Sequence, residues 1–80
     1  MARYLLHHRH KPEECSVVFA AFQGHQSPLR RQTTLASCAS GGHAIWWTVD
    51  ALNSEAALGL LPFYVSTRSI AIAVSEVVIP

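Results

Sequence analysis

The chain has 80 residues, half of them hydrophobic and 14% charged, with a formal net charge of +1. That length makes one small domain over residues 1–80, and such hydrophobicity at low net charge excludes a disordered tail. Six Lys/Arg against five Asp/Glu leave no basic excess to neutralise phosphates, which argues against a nucleic-acid partner.

From Arg3 to His10 the chain is too short before Pro12 for a helix and reads as a strand. Tyr4, Leu6, His8 and His10 fall on one face, and Leu5, His7 and Arg9 on the other. Pro12 suits the first turn of a helix, and Glu13 and Glu14 suit the positive end of its dipole. Cys15, Val18, Phe19 and Phe22 then form one apolar stripe at helical spacing, which places Cys15 in the core; Gly24 is the expected left-handed cap. Residues His25 to Gln32 are polar and read as a loop. Thr33–Ala39 and His43–Val49 read as a hairpin closed tightly at Ser40-Gly41-Gly42, the second strand alternating Ile45, Trp47 and Val49 against Ala44, Trp46 and Thr48. Asn53 caps a second helix that buries Ala57, Leu60 and Leu61 and ends or kinks at Pro62. Ser69–Val74 is a further strand, and Val77–Pro80 a last extended piece.

The order β-α-β-β-α-β predicts an α+β ferredoxin-like sandwich: a four-stranded antiparallel sheet with both helices on one face. A chain this short has too little interior for Trp46, Trp47, Phe63 and Tyr64 together with its aliphatic residues. An obligate homodimer that buries the open sheet face relieves this; a monomer with an apolar cleft is the alternative. Glu55, Gly59 and Pro62 break the most apolar region well short of the ~18 residues of a membrane span, and the first residues lack the pattern of a secretory signal, so neither membrane nor export is expected. Two cysteines are too few to staple a secreted mini-protein, so the expected compartment is a reducing cytoplasm.

Two stretches carry a resemblance. Ala57-Leu58-Gly59-Leu60-Leu61-Pro62-Phe63-Tyr64, followed by the strand ending at Pro80, resembles the Leu-Pro-aromatic segment of muconolactone isomerases. The layout of the whole chain is similar to the dimeric α/β-barrel superfamily to which those enzymes and the small nickel-binding barrel proteins of actinobacteria belong. Leu35 to Trp47 is also similar to short actinobacterial proteins reading Leu-x-Ser-Cys-x-x-Gly-Gly-His-x-Ile-Trp-Trp. The resemblance implies a dimeric α/β barrel and transfers no catalytic residue to this chain.

Histidine is the outlier, with five in the chain and three in His7-His8-Arg9-His10. On one strand face, His8 and His10 lie about 6.5–7 Å apart at Cα, so both imidazoles could reach one Ni, Zn, Cu or Fe ion. His43, Cys38 or a partner chain would supply a third ligand; otherwise the rings are simply solvated at the sheet rim. Cys38 and His43 flank the glycine turn and could act as nucleophile and base, with Cys38 buried in a plain hairpin as the blander reading. Trp46 on the open face, above a floor of Ala44, Ala71 and Ala73, would wall a hollow for a small ligand, unless a partner's side chains fill it. Arg30 and Arg31 could draw an anionic substrate to its mouth, or be a solvated loop.

Three functions are therefore in view. The first is a homodimer that binds a small ligand or transition metal through His8, His10 and His43. The second is a cofactor-free isomerase or monooxygenase, acting on a small aromatic or lactone substrate, with a histidine as proton shuttle and His8, His43 and Cys38 as the candidate catalytic residues. The third is a structural subunit that packs through its open sheet.

Overall fold

The computed structural model describes all residues, Met1–Pro80. Four strands, β1 (Ala2–Arg9), β2 (Leu35–Ala36), β3 (Ala44–Ala51) and β4 (Ser69–Val74), are interleaved with three short helices, α1 (Cys15–Ala20), α2 (Ser54–Leu58) and α3 (Phe63–Ser66). Two 3₁₀ turns, Pro12–Glu14 and Cys38–Ser40, precede α1 and β3. β1 runs through the middle of an open antiparallel sheet of order β2-β3-β1-β4. Its register sets Leu6 opposite Trp47 and Ala71, and His8 opposite Ile45 and Ser69. The result is a small α+β domain with one four-stranded antiparallel sheet.

Alternation along β1 and β3 follows the expected phase. Leu6, Ile45, Trp47 and Val49 point to the helical side, where they form one core with Val18, Ala57, Leu61 and Val65. The second helix begins as its sequence dictates: the Asn53 side chain accepts the Ala56 N–H at 2.8 Å. Pro62 divides the apolar run into α2 and α3, and its carbonyl accepts the N–H groups of Val65 and Ser66. α1 ends at Ala20 with Ala21 as its cap, short of the expected stop; Gly24 does adopt the left-handed conformation, at φ +77°, but in the turn that follows.

Three expectations change. The strand read over Thr33–Ala39 shrinks to Leu35–Ala36, because the reversal begins earlier than Ser40. Ser37 accepts the Ala44 N–H at its hydroxyl (3.1 Å) and donates its own N–H to the Ala44 carbonyl (2.8 Å), which closes a wide turn in place of a tight hairpin. Phase in β4 is the reverse of the one needed for a hollow. Ala71 and Ala73 lie opposite Leu6 and Tyr4 on the helical side, whereas Ile70, Ile72 and Val74 face outward at 57%, 41% and 36% exposure. The alanines let α2 lie close across β4. Finally, Val77, Val78 and Ile79 are exposed and join no strand.

Candidate metal centre

At one end of the sheet, four elements bring His10, Cys15, Cys38 and His43 together, with one ligand atom of each within 4.8 Å of every other. His10 leaves β1 just before Pro12 and is anchored there by its own N–H, which bonds the His43 carbonyl at 3.1 Å. Cys15 opens α1, one residue after the 3₁₀ turn. Cys38 opens the second 3₁₀ turn, and His43 immediately precedes β3. His43 holds φ +50° and Gly41 φ +85°, two left-handed residues that swing the imidazole back over the turn. A Cβ on Gly42 would collide with the Ser37 side chain, so the turn needs glycine at that close approach.

The distances suit a small cation. His10 Nε2 lies 3.1 Å from Cys15 Sγ and 3.4 Å from Cys38 Sγ, and His43 Nδ1 lies 3.1 Å from Cys15 Sγ. A tetrahedral zinc with bonds of about 2.3 Å to sulfur and 2.0–2.1 Å to nitrogen separates neighbouring S and N ligands by about 3.5 Å. The three S–N separations are within a few tenths of an ångström of that spacing. The four residues are positioned to hold a metal ion.

Hydrogen bonding selects which nitrogen of His10 faces the cluster. The Val65 carbonyl accepts from the Ser69 hydroxyl (2.6 Å) and lies 3.2 Å from His8 Nδ1, which is also 3.0 Å from Ser69 Oγ. A carbonyl cannot donate, so His8 carries its proton on Nδ1 and leaves Nε2 as an acceptor. His8 Nε2 is 3.0 Å from His10 Nδ1, which must therefore donate. The lone pair of His10 is thus on Nε2, the atom aimed at the two sulfurs. Metal-ligating histidines are oriented by this kind of outer hydrogen bond.

The electrostatics agree. Burial, then the neighbouring His10, push the His8 pKa below the ordinary histidine value; burial, then His43, do the same to His10. Burial, then the adjacent Cys38, raise the Cys15 thiol above its usual value. His10 is therefore held neutral, as a ligand must be, and a metal that binds Cys15 would displace its proton.

A polar clamp fixes the Cys15 side of the cluster. Glu14 accepts the Lys11 N–H (2.8 Å), the Tyr64 hydroxyl (2.8 Å) and the Arg68 Nε–H (3.1 Å), while the Arg68 guanidinium lies 3.7 Å from the centre of the Tyr64 ring. The Lys11 N–H and then the Tyr64 hydroxyl hold the Glu14 carboxyl down at about 2. This ties the 3₁₀ turn that leads into Cys15 to α3.

Of the sequence candidates, His10, His43 and Cys38 come together, and His8 stands behind them. His8 is fully buried, and both of its ring nitrogens are taken by Val65, Ser69 and His10, so the expected His8–His10 chelate becomes a relay in which only His10 reaches the cluster. Cys15, expected in the core, is half-buried, with its Sγ 3.1 Å from both His10 Nε2 and His43 Nδ1. Cys38 contacts His10, and it is Cys15 that contacts His43, so the Cys38–His43 nucleophile and base pair is replaced by crossed contacts. The missed signal is a symmetric spacing: His10 and Cys15 are separated by four residues, and so are Cys38 and His43.

The hollow expected between Trp46, Ala44, Ala71 and Ala73 is not formed. Ala71 and Ala73 are on the helical side, Ala44 is buried, and Trp46 stacks on His7 (ring centres 5.4 Å apart, planes 14° apart) on the open face. Arg30 and Arg31 instead line a separate cleft with Trp47. No helix is long and apolar enough to cross a membrane. Comparison with known proteins finds no family model, curated protein or solved structure that matches this chain.

Proposed function

We propose that this protein binds one tetrahedral transition-metal ion through His10, Cys15, Cys38 and His43, and that the ion staples the start of α1 to the turn before β3. The observation that carries this is the convergence of four ligand atoms within 4.8 Å from residues as far apart in sequence as His10 and His43. Two thiolates with two imidazoles in a closed set favour zinc in a structural role; nickel, copper and iron are the competing ions. Size makes the staple useful. Only 12 of 80 residues are buried, a small core for a domain at the length where metals or disulfides commonly supplement packing. Both cysteines are free, which suits a reducing cytoplasm, where we place the protein.

The test is elemental analysis of untagged protein, followed by cobalt substitution. Stoichiometric metal, a tetrahedral cobalt spectrum with sulfur charge-transfer bands, and loss of both in Cys15→Ser and Cys38→Ser are expected. Substoichiometric metal, with uptake unchanged in those variants, overturns the reading.

A second copy of the chain is the proposed partner for the open sheet face, where Ile70 and Ile72 are exposed beside the His7–Trp46 stack. The strand order β2-β3-β1-β4, with the helices packed against the other face, supports the ferredoxin-like reading in which two such sheets form a dimeric barrel. Sedimentation of the protein against an Ile70→Glu/Ile72→Glu variant checks this: a dimer that dissociates is expected, and a native monomer refutes it. The isomerase or monooxygenase reading asks for a histidine facing a ligand cavity; no histidine lines the apolar cleft, while His10 and His7 each line a more polar depression elsewhere.

A further inference from the structure

Beside α1, on the helical side of the sheet, lies a cleft of about 180 Å³ that shares no residue with the metal cluster. Phe19 and Phe22 form one wall and Leu29 the other, while Ile45 and Trp47 form the floor. Arg30 and Arg31 line the same cleft. Apolar surface with two adjacent guanidinium groups is an amphipathic arrangement, and three features say that it is built for a ligand of matching kind.

The first is charge. The protein's three ion pairs use Arg3 and Arg68, which leaves Arg30 and Arg31 without a carboxylate partner inside the chain. A guanidinium presents paired N–H donors that match a carboxylate, and it does so best beside an apolar wall that limits competing water. The second is backbone. Arg31 holds φ +67°, a conformation unfavourable for a residue with a Cβ and one that persists where the surroundings impose it. The loop around it is held by bonds from Leu29 N–H to Ser27 Oγ (3.2 Å), Arg30 N–H to the Ser27 carbonyl (3.2 Å) and Gln32 N–H to the Leu29 carbonyl (3.3 Å). The third is the apolar side: Phe19 sits on α1 yet is 53% exposed, a large aromatic left open at the cleft rather than packed in the core.

We propose that this cleft binds a small amphipathic carboxylate, its apolar end between Phe19, Phe22 and Trp47 and its carboxyl group on Arg30 and Arg31. The volume sets the size. Pockets for drug-sized ligands run from about 300 to 1,000 Å³, so this one takes a single ring or a short chain. Two cations and no anion in the lining select against neutral analogues of the same shape.

Titration of the full, metal-loaded chain with hexanoate, hexanamide and inorganic phosphate, followed by two-dimensional amide NMR, tests the proposal. Hexanoate is expected to shift the Trp47 indole N–H and the amides of Phe19, Thr34 and Ile45, and to leave the Trp46 indole on the opposite face unmoved. Hexanamide and phosphate are each expected to bind about tenfold or more weakly, the first for want of charge and the second for want of an apolar body. Arg30→Gln/Arg31→Gln, two exposed positions, is expected to reduce hexanoate binding to the hexanamide level without altering metal content. Equal binding of hexanoate and hexanamide, or an unchanged double variant, or shifts that map away from the cleft, would each overturn it. Metal content is read in the same samples, so failure of the cleft and failure of the metal centre are separately visible.

Discussion

The two ends of this sheet are held by different physics. Towards α2 and α3, Leu6, Ile45, Val49, Ala57, Leu61 and Val65 are buried against one another, and apolar burial does the work. Towards α1 and the turn before β3, none of the four clustered residues is fully buried, the chain runs through two 3₁₀ turns, and His43 and Gly41 occupy left-handed backbone. The two 3₁₀ turns themselves bury no residue, so they gain little apolar burial to offset the entropy of fixing them. The proposed metal ion would supply that free energy from a handful of bonds. A domain of this size can therefore close its less hydrophobic end without a larger core.

Removing the metal should separate the ends most sharply. Chelation is expected to lower the thermal midpoint and to raise amide hydrogen exchange over residues 10–15 and 37–43, while the centres of β1 and β3 stay protected. Uniform exchange throughout would mean that the two ends are one cooperative unit. Damage at the other end is expected to do the converse. Leu6→Ala, at a fully buried position, should cost about 2–5 kcal/mol in denaturant unfolding and leave the metal stoichiometric in the folded fraction.

The relay joins the two regions, since His8 touches both Val65 and His10. His8→Phe keeps the bulk and removes the acceptor that orients His10, so metal affinity measured by competition with a chelator should fall about 10–100-fold. The smallest expected effect is in acid. Glu14 titrates near 2 when folded against an ordinary 4.5, so its stabilising contribution is complete above pH 4.5 and is lost as the pH falls from there toward 2. Glu14→Gln should flatten that part of the stability profile, with a modest loss of stability at neutral pH that shrinks as the pH falls toward 2.

Much of the architecture was legible from residue patterns. Period-2 alternation in β1 and β3 and the Asn53 cap are local signals that appear where the pattern placed them, and the second helix is interrupted before Pro62 as expected, whereas the first helix stops at Ala20, short of Gly24. β4 was misread because Ser69–Val74 alternates isoleucine with alanine, and either set could face the helices. The choice belongs to the sheet: pairing of β4 with β1 puts Ala71 beside Leu6 and under the helical layer, where a larger side chain would hold α2 away. His10, Cys38 and His43 were recognisable as chemically capable residues, but Cys15 was assigned to the core because it lies on the apolar stripe of its helix.

By itself, then, the sequence determined the elements, their order and the supply of metal-ligating side chains, because these depend on neighbours a few residues apart. Only the tertiary structure decided which of those side chains meet. The antiparallel pairing of β1 with β3 brings His10 to His43 across a backbone hydrogen bond, and the start of α1 and the Ser37–Ala44 turn then deliver Cys15 and Cys38 from either side. Such a site is built from long-range register, and register is fixed by the burial of a whole sheet face rather than by any short motif.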